Sequence, residues 1–322
     1  MKTQVRRWVL VAAALCAVAA FGCSKGSGSS GGSASAKGAL GMLPKDADVV
    51  MGIDFASLRS SALYKEYSPM LMSAIGDKLA KFKDACGFDP IEQLGTLTAG
   101  VKGAKGDQDA TIVVTGFAKD KVVDCLKKAS EKEGKADQLK IDGDYIEIAA
   151  PKGTIGMLFT DSGILVHKTP TGFATKDQLV AQSKQAADAS PAGSKTFMDV
   201  FGKVDTKAGL WFIANGNAPQ MQDAPVKMKV AYGSIKISDG LSADISATMN
   251  SEADAKQVAD MAKSQMDQVK GAGMIEEASA EANGADVHIK VSMTKDQLEM
   301  IASMAKSAMG AFGRGGGGGM PE

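Results

Sequence analysis

The sequence predicts an α+β fold of two duplicated halves, each an antiparallel sheet with helices packed on one face. Three observations predict it. Short apolar runs recur in pairs across turns rich in Asp, Ser and Gly, as in β-hairpins. Stretches with apolar residues three to five apart lie between those pairs, which is helical spacing. The pentapeptide Thr-Lys-Asp-Gln-Leu opens the last helix of each half, at Thr175 to Leu179 and at Thr294 to Leu298.

The chain begins with Lys2, Arg6 and Arg7, then Trp8 to Phe21 is apolar throughout, 14 residues ending at Gly22-Cys23. A spanning helix needs about 20 apolar residues, so this run has the proportions of a secretory core and residues 1–22 read as a signal peptide. Cleavage after Ala17-Val18-Ala19 is the alternative; it leaves Cys23 as a thiol in a soluble chain. Ser24 to Lys37 is almost entirely Ser, Gly and Ala, so residues 23–38 are expected to be a flexible tether.

The first half is expected over 39–193. Asp48 to Asp54 reads as a strand, and Ala56 to Ala85 as a helix broken near Pro69 and Gly76. Thr96 to Val101 and Ala110 to Phe117 follow as strands, then a helix over Lys119 to Glu133. Leu139 to Ile148 alternates around Asp142-Gly143, and Thr154 to Phe159 pairs with Gly163 to His167 across Asp161-Ser162-Gly163. A helix over Thr175 to Ala187 precedes the closing Pro191-Ala-Gly193.

The second half, 194–309, repeats that order. Ala208 to Ala214 is a strand, and Val226 to Ile237 with Leu241 to Met249 a hairpin. Glu252 to Lys270 is a helix, Met274 to Ala282 and Ala285 to Met293 are strands, and Lys295 to Met309 is a terminal helix. The hairpin–helix stretch Thr96 to Ser130 then corresponds to Ser234 to Ser264. An internal duplication explains the match; so, for the pentapeptides alone, does the Thr-x-x-Gln capping box, which arises independently at helix starts. Residues 310–322 are Gly-rich and read as a disordered tail.

Composition limits function. The chain has 37 basic and 37 acidic residues, and three basic ones lie in the signal segment, so the mature protein is slightly acidic. Nothing in that balance recruits nucleic acid. Aromatic residues are only 5%, which implies a core of small and flexible side chains. Cys16 lies in the signal core and Cys23 at its end, leaving Cys86 and Cys125 to form a disulfide in an oxidising compartment, or to stay as buried thiols. Neither lies in a Cys-x-x-Cys pair of the redox kind.

Catalytic patterns occur without their context. Gly28-Ser-Ser30-Gly-Gly32 and Gly26-Ser-Gly28-Ser-Ser-Gly31 fit nucleophile and dinucleotide motifs, but both lie in the tether, where no strand precedes them. Gly313 to Gly319 repeats the accident. His167 and His288 are the only histidines, and no zinc spacing surrounds them. Asp107 with Asp109, and Asp142 with Asp144, lack the ligand series of a calcium loop and read as turn residues. Met70 with Met72 and Met300 with Met304 offer thioethers to Cu(I), although Met equally fills aromatic-poor cores. No cofactor and no metal are expected.

Ala20-Phe21-Gly22-Cys23 resembles a bacterial lipobox, with Ala20 where that family prefers Leu. The resemblance implies that Cys23 becomes the mature N-terminus, carrying a diacylglyceryl thioether and an acylated amine, a palmitate-type anchor. More than one acyl chain gives stable membrane attachment. Ser24, where an Asp would retain the protein at the inner membrane, implies an outer-membrane location facing periplasm or cell surface. The whole resembles the lipoproteins of Gram-negative envelopes. The resulting expectation is a non-catalytic, tethered interaction module with a protein or envelope partner. The alternative is a small-molecule or lipid carrier with a cleft between the halves. A hydrolase would require His167 and His288 to cluster with acids.

Overall fold

The computed structural model describes residues 32–73, 76–103, 108–150, 153–218, 226–301 and 303. Residues 1–31 with Cys23, the loop carrying Asp107, and residues 304–322 lie outside them. The strands are β1 (Val49–Asp54), β2 (Thr96–Lys102), β3 (Asp109–Val114), β4 (Leu139–Asp142), β5 (Tyr145–Ala150), β6 (Gly153–Thr160), β7 (Gly163–Thr169), β8 (Gly172–Phe173), β9 (Leu210–Asn215), β10 (Met228–Ile237), β11 (Leu241–Met249), β12 (Glu277–Asn283) and β13 (Asp286–Met293). The helices are α1 (Gly32–Leu40), α2 (Phe55–Ser60), α3 (Ala62–Ser73), α4 (Gly76–Cys86), α5 (Pro90–Gln93), α6 (Lys119–Lys132), α7 (Lys176–Ser183), α8 (Lys195–Phe201) and α9 (Glu252–Gly271). A further helix opens at Lys295.

The α+β class holds, but the halves do not each form a sheet. All the strands join one antiparallel sheet in the order β12-β13-β11-β10-β9-β1-β2-β3-β7-β6-β5-β4, with β8 on β7. The seam is the β1–β9 pair, in which Gly52 faces Trp211 and Val50 faces Ile213. Outward from that seam the order is β1-β2-β3-β7 on one side and β9-β10-β11-β13 on the other. α6 follows β3 and α9 follows β11.

Helices cover both faces, not one. On β7, Leu165 joins a core built with Leu40 of α1, Leu179 of α7 and Phe201 of α8. Its neighbours Ile164 and Val166 point the other way, into a second core with Val122 and Leu126 of α6. Strand side chains alternate faces, so these are opposite sides of the sheet. On the α6 side a third cluster packs Ala255 and Ala259 of α9 against Met249 and Val287.

Two local expectations are corrected. Gly32–Leu40 is helical where a tether was expected, and Ala36, Ala39 and Leu40 are buried, because small residues let the helix lie close on the sheet. The long helix after β1 breaks at Ser61, whose Oγ accepts from Tyr64 N at 3.1 Å, and α3 runs through Pro69. Helix α8, which follows the closing Pro191-Ala-Gly193, is capped by Ser194 accepting from Phe197 N. The disulfide is present, Cys86 to Cys125 with Cα atoms 4.6 Å apart, and it fastens α4 to α6.

Candidate functional site: an apolar trough over the strand seam

On the side of the sheet that carries α6 and α9, one cross-strand row reads Val166, Ile112, Ala99, Met51, Phe212, Gly233, Ile245, Ile289. The next row towards the ends of β1 and β7 reads Ile164, Val114, Leu97, Ile53, Leu210, Ile235, Ala243, Val291. No side chain in either row carries an N–H or O–H donor. α6 covers the β5–β7 end of these rows and α9 the β11–β13 end, but the middle is less covered. Met51, on a central strand, is 39% exposed. Ile53, Leu97, Leu210, Phe212, Ile235 and Ile245 are half-buried. The five strands between the walls span about 24 Å at ~4.8 Å each.

The opposite side of the same strands is closed. Val50, Thr98, Val113, Trp211, Ile213 and Tyr232 are all buried there. The two sides of the seam are thus both apolar; Val50 is buried on one, and Met51 is 39% exposed on the other.

The arm α3–α4 marks one end of the trough. Leu63 N donates to Ser238 O at the β10–β11 turn, and Cys86 at the far end of the arm is bonded to Cys125 of α6. The arm therefore runs from one side of the seam to the other. Near its base Arg59 Nη1 donates to Ile91 O and Leu94 O at 2.7 and 2.8 Å, tying α2 to the segment that returns into β2.

The histidines are not brought together. Six strands separate β7 from β13, about 34 Å at ordinary strand spacing. His167 Nδ1 lies 2.8 Å from Thr111 Oγ1, which also accepts from Gln182 Nε2 of α7 at 2.9 Å. Burial pushes the His167 pKa down, opposed by the negative charge of Asp109. His288 Nε2 lies 2.6 Å from Asp244 Oδ1, with Ser246 opposite it on β11. Both side chains of that pair are about half exposed to solvent, which makes it a cross-strand surface pair rather than a desolvated acid–base set.

The remaining sequence candidates fall apart in space. Asp142 and Asp144 each hold a lysine, Lys176 and Lys119, at 2.5 and 2.7 Å. Met300 is exposed on the terminal helix, and nothing is described of the side chains of Met70, Met72 and Met304. Among the described residues no group of three or more His, Cys, Asp or Glu could hold a metal ion. Among the described residues, one hollow of about 430 Å³ lies beside Tyr145, Glu147 and Lys176, and another of about 260 Å³ beside Lys203, Tyr232 and Asp244. In the first, Lys140 holds the Glu147 carboxyl below its usual range and burial pushes the Tyr145 phenol up.

The trough was missed from sequence because both faces of β1 and β9 are apolar, so strand alternation does not mark which side stays open. The only available signal was that Asp48 to Asp54 carries no outward polar residue on a central strand.

No protein-family model and no curated protein matches the chain. Among solved structures, crystal form I of TP0453 is similar with a TM-score of 0.47 at 10% identity, covering 82% of this chain and 96% of that one. Crystal form III of TP0453 gives 0.46 at 8% identity over 82% and 97%. Among the described residues no helix is long and apolar enough to cross a membrane.

Proposed function

We propose that the chain is an envelope lipoprotein, anchored through Cys23 at the outer membrane, that acts without catalysis by holding an apolar partner in the trough between α6 and α9. One observation carries the binding part: an apolar floor on central strands with Met51 39% exposed. An apolar side chain left open on a central strand, among half-buried apolar neighbours, is where an apolar partner can bury further surface. The anchoring part is supported by the lipobox-like Ala20-Phe21-Gly22-Cys23 alone. A carrier reading, in which the occupant is a small apolar molecule, is favoured by the trough lying over the seam between the two halves.

The test is native mass spectrometry of the protein extracted from its own membranes, beside the Met51→Asp and Cys23→Ser variants. The expected result is a lipid-modified N-terminus lost in Cys23→Ser, and a non-covalent protein or small-molecule mass lost in Met51→Asp. A mature chain starting at residue 20 without lipid overturns the anchor. Identical bound mass in wild type and Met51→Asp overturns the trough.

A further inference from the structure

We infer that the outer edge of β12 is a second docking surface, which takes an extended segment of a partner protein as an added strand, with basic side chains facing Glu277 and Glu281 and acidic ones facing the lysines of α9. This surface is separate from the trough and does not rest on it.

The two edges of the sheet differ. β4 has four residues, and its Lys140 is tied to Glu147 of β5. β12 has seven residues, none of them Pro or Lys, and it pairs with β13 in unbroken register. Shortness, Pro, Lys and bulges are what keep an edge from pairing, so β12 is the open one. Gly284-Ala285, with Gly284 at φ +58°, is a two-residue turn, and the pair flanking it, Asn283 with Asp286, exchanges both backbone bonds. Every second pair along β12 does the same, which turns the N–H and C=O groups of Ala278, Ala280 and Ala282 away from β13. Among the described residues no strand takes them up. An added strand satisfies such groups, and its alternate side chains give the choice of partner.

Charge decides which segment fits. Glu277 and Glu281 stand exposed on one side of the edge. Ala278, Ala280 and Ala282 lie on the other, the side of α9, which packs on their cross-strand neighbours Val287 and Ile289. At 100° per residue, Glu252, Lys256, Lys263 and Lys270 fall within about 40° of one another on α9, and all four are exposed. A Cβ at Gly284 would lie 3.9 Å from Glu252 Oε1, which sets this flank beside the β12–β13 turn. The crossover from β11 through α9 to β12 is right-handed, as such connections are, and faces the same flank to the outer edge. Among the described residues no ion pair engages these two glutamates or the three lysines. The free backbone groups thus run between an acidic side and a basic one. A second copy paired on β12 about a two-fold axis would set lysine flank against lysine flank and gather the glutamates of both copies, so like charges oppose self-pairing on both sides.

The test is fluorescence anisotropy of the labelled peptide Thr-Arg-Glu-Thr-Glu-Arg-Thr with the full chain carrying Cys23→Ser. Its two Arg have the spacing of Glu277 and Glu281, and its Glu side chains alternate to the other side. The control, Thr-Glu-Arg-Thr-Arg-Glu-Thr, has the same composition with the charges exchanged between sides. The first peptide is expected to bind severalfold tighter than the control. That binding is lost in Ala280→Pro, which removes an outward N–H that the ladder does not use. The preference shrinks severalfold when Glu277→Gln and Glu281→Gln are combined, and Met51→Asp leaves it unchanged. Trp211 emission checks the fold of each variant. Equal binding of the two peptides, or binding of neither, overturns the inference. So does binding that survives Ala280→Pro, or binding lost in Met51→Asp, which assigns the peptide to the trough. A dimer of the full chain that Ala280→Pro converts to monomer makes a second copy the occupant and overturns it as well.

Discussion

The indole of Trp211 occupies the space above Gly52 on the neighbouring strand: a Cβ at Gly52 would lie 2.1 Å from Trp211 Nε1. The two face each other across the seam, and the indole packs edge-on against Phe201 with ring centroids 5.4 Å apart. Glycine is required here by close approach of a neighbour, since its backbone is ordinary strand.

Gly52→Ala is therefore expected to lower stability by about 1–3 kcal/mol, the usual cost of overpacking a core. In a chain that begins at Cys23, as proposed, Trp211 is the only tryptophan, and its emission reports the seam directly. Urea titrations followed by that emission should show a lower midpoint and a shifted native spectrum. An unchanged midpoint would show that the indole can leave Gly52 at no cost.

The Cys86–Cys125 bond closes a loop with a sequence separation of 39. In the chain-entropy model that loop is worth about 4 kcal/mol. Replacing both cysteines by Ala, or reducing the protein, should lower the denaturation midpoint accordingly and free the α3–α4 arm for early proteolysis. Equal midpoints with and without reductant contradict this.

His167 predicts an acid weakness. Its folded pKa lies below the ordinary 6.5, chiefly through burial. The neutral ring is the one the fold accepts, so its contribution is complete above the unfolded pKa and is lost as pH falls from there to the depressed folded value. Protonation would also give Thr111 Oγ1, which is fully buried, a second donor beside Gln182. Stability measured from pH 8 to pH 5 should fall in wild type, and fall less in His167→Gln. Parallel curves would rule the histidine out as the cause.

The two capping boxes are expected to differ in weight. Thr175 starts α7, whose Leu179 is fully buried, whereas the helix after Thr294 has only half-buried Leu298 in the same place. Thr175→Ala should cost about 1 kcal/mol, as loss of an N-cap does, and Leu179→Ala about 2–5 kcal/mol. Chemical denaturation should find the Leu298→Ala loss well below the Leu179→Ala loss; equal losses would mean the terminal helix is anchored as firmly as α7.

The sequence by itself determined what depends on neighbours along the chain. Hairpin turns such as Asp142-Gly143, with Gly143 at φ +64°, helix starts at Ser251 and Thr175, and the strands between them follow from turn chemistry, capping and alternation. Cysteine counting pointed to Cys86 and Cys125. The tertiary structure decided everything set by long-range pairing. It joined β1 to β9 and merged two expected sheets into one. It also placed Ala36 in the core although its surroundings read as tether. Most of all, it decided which apolar side of the seam is covered. Val50 and Met51 are equally hydrophobic neighbours, yet one is buried beneath helices and the other opens onto the trough. Local periodicity records that a side chain is apolar; only the packing of distant elements fixes whether anything lies on top of it.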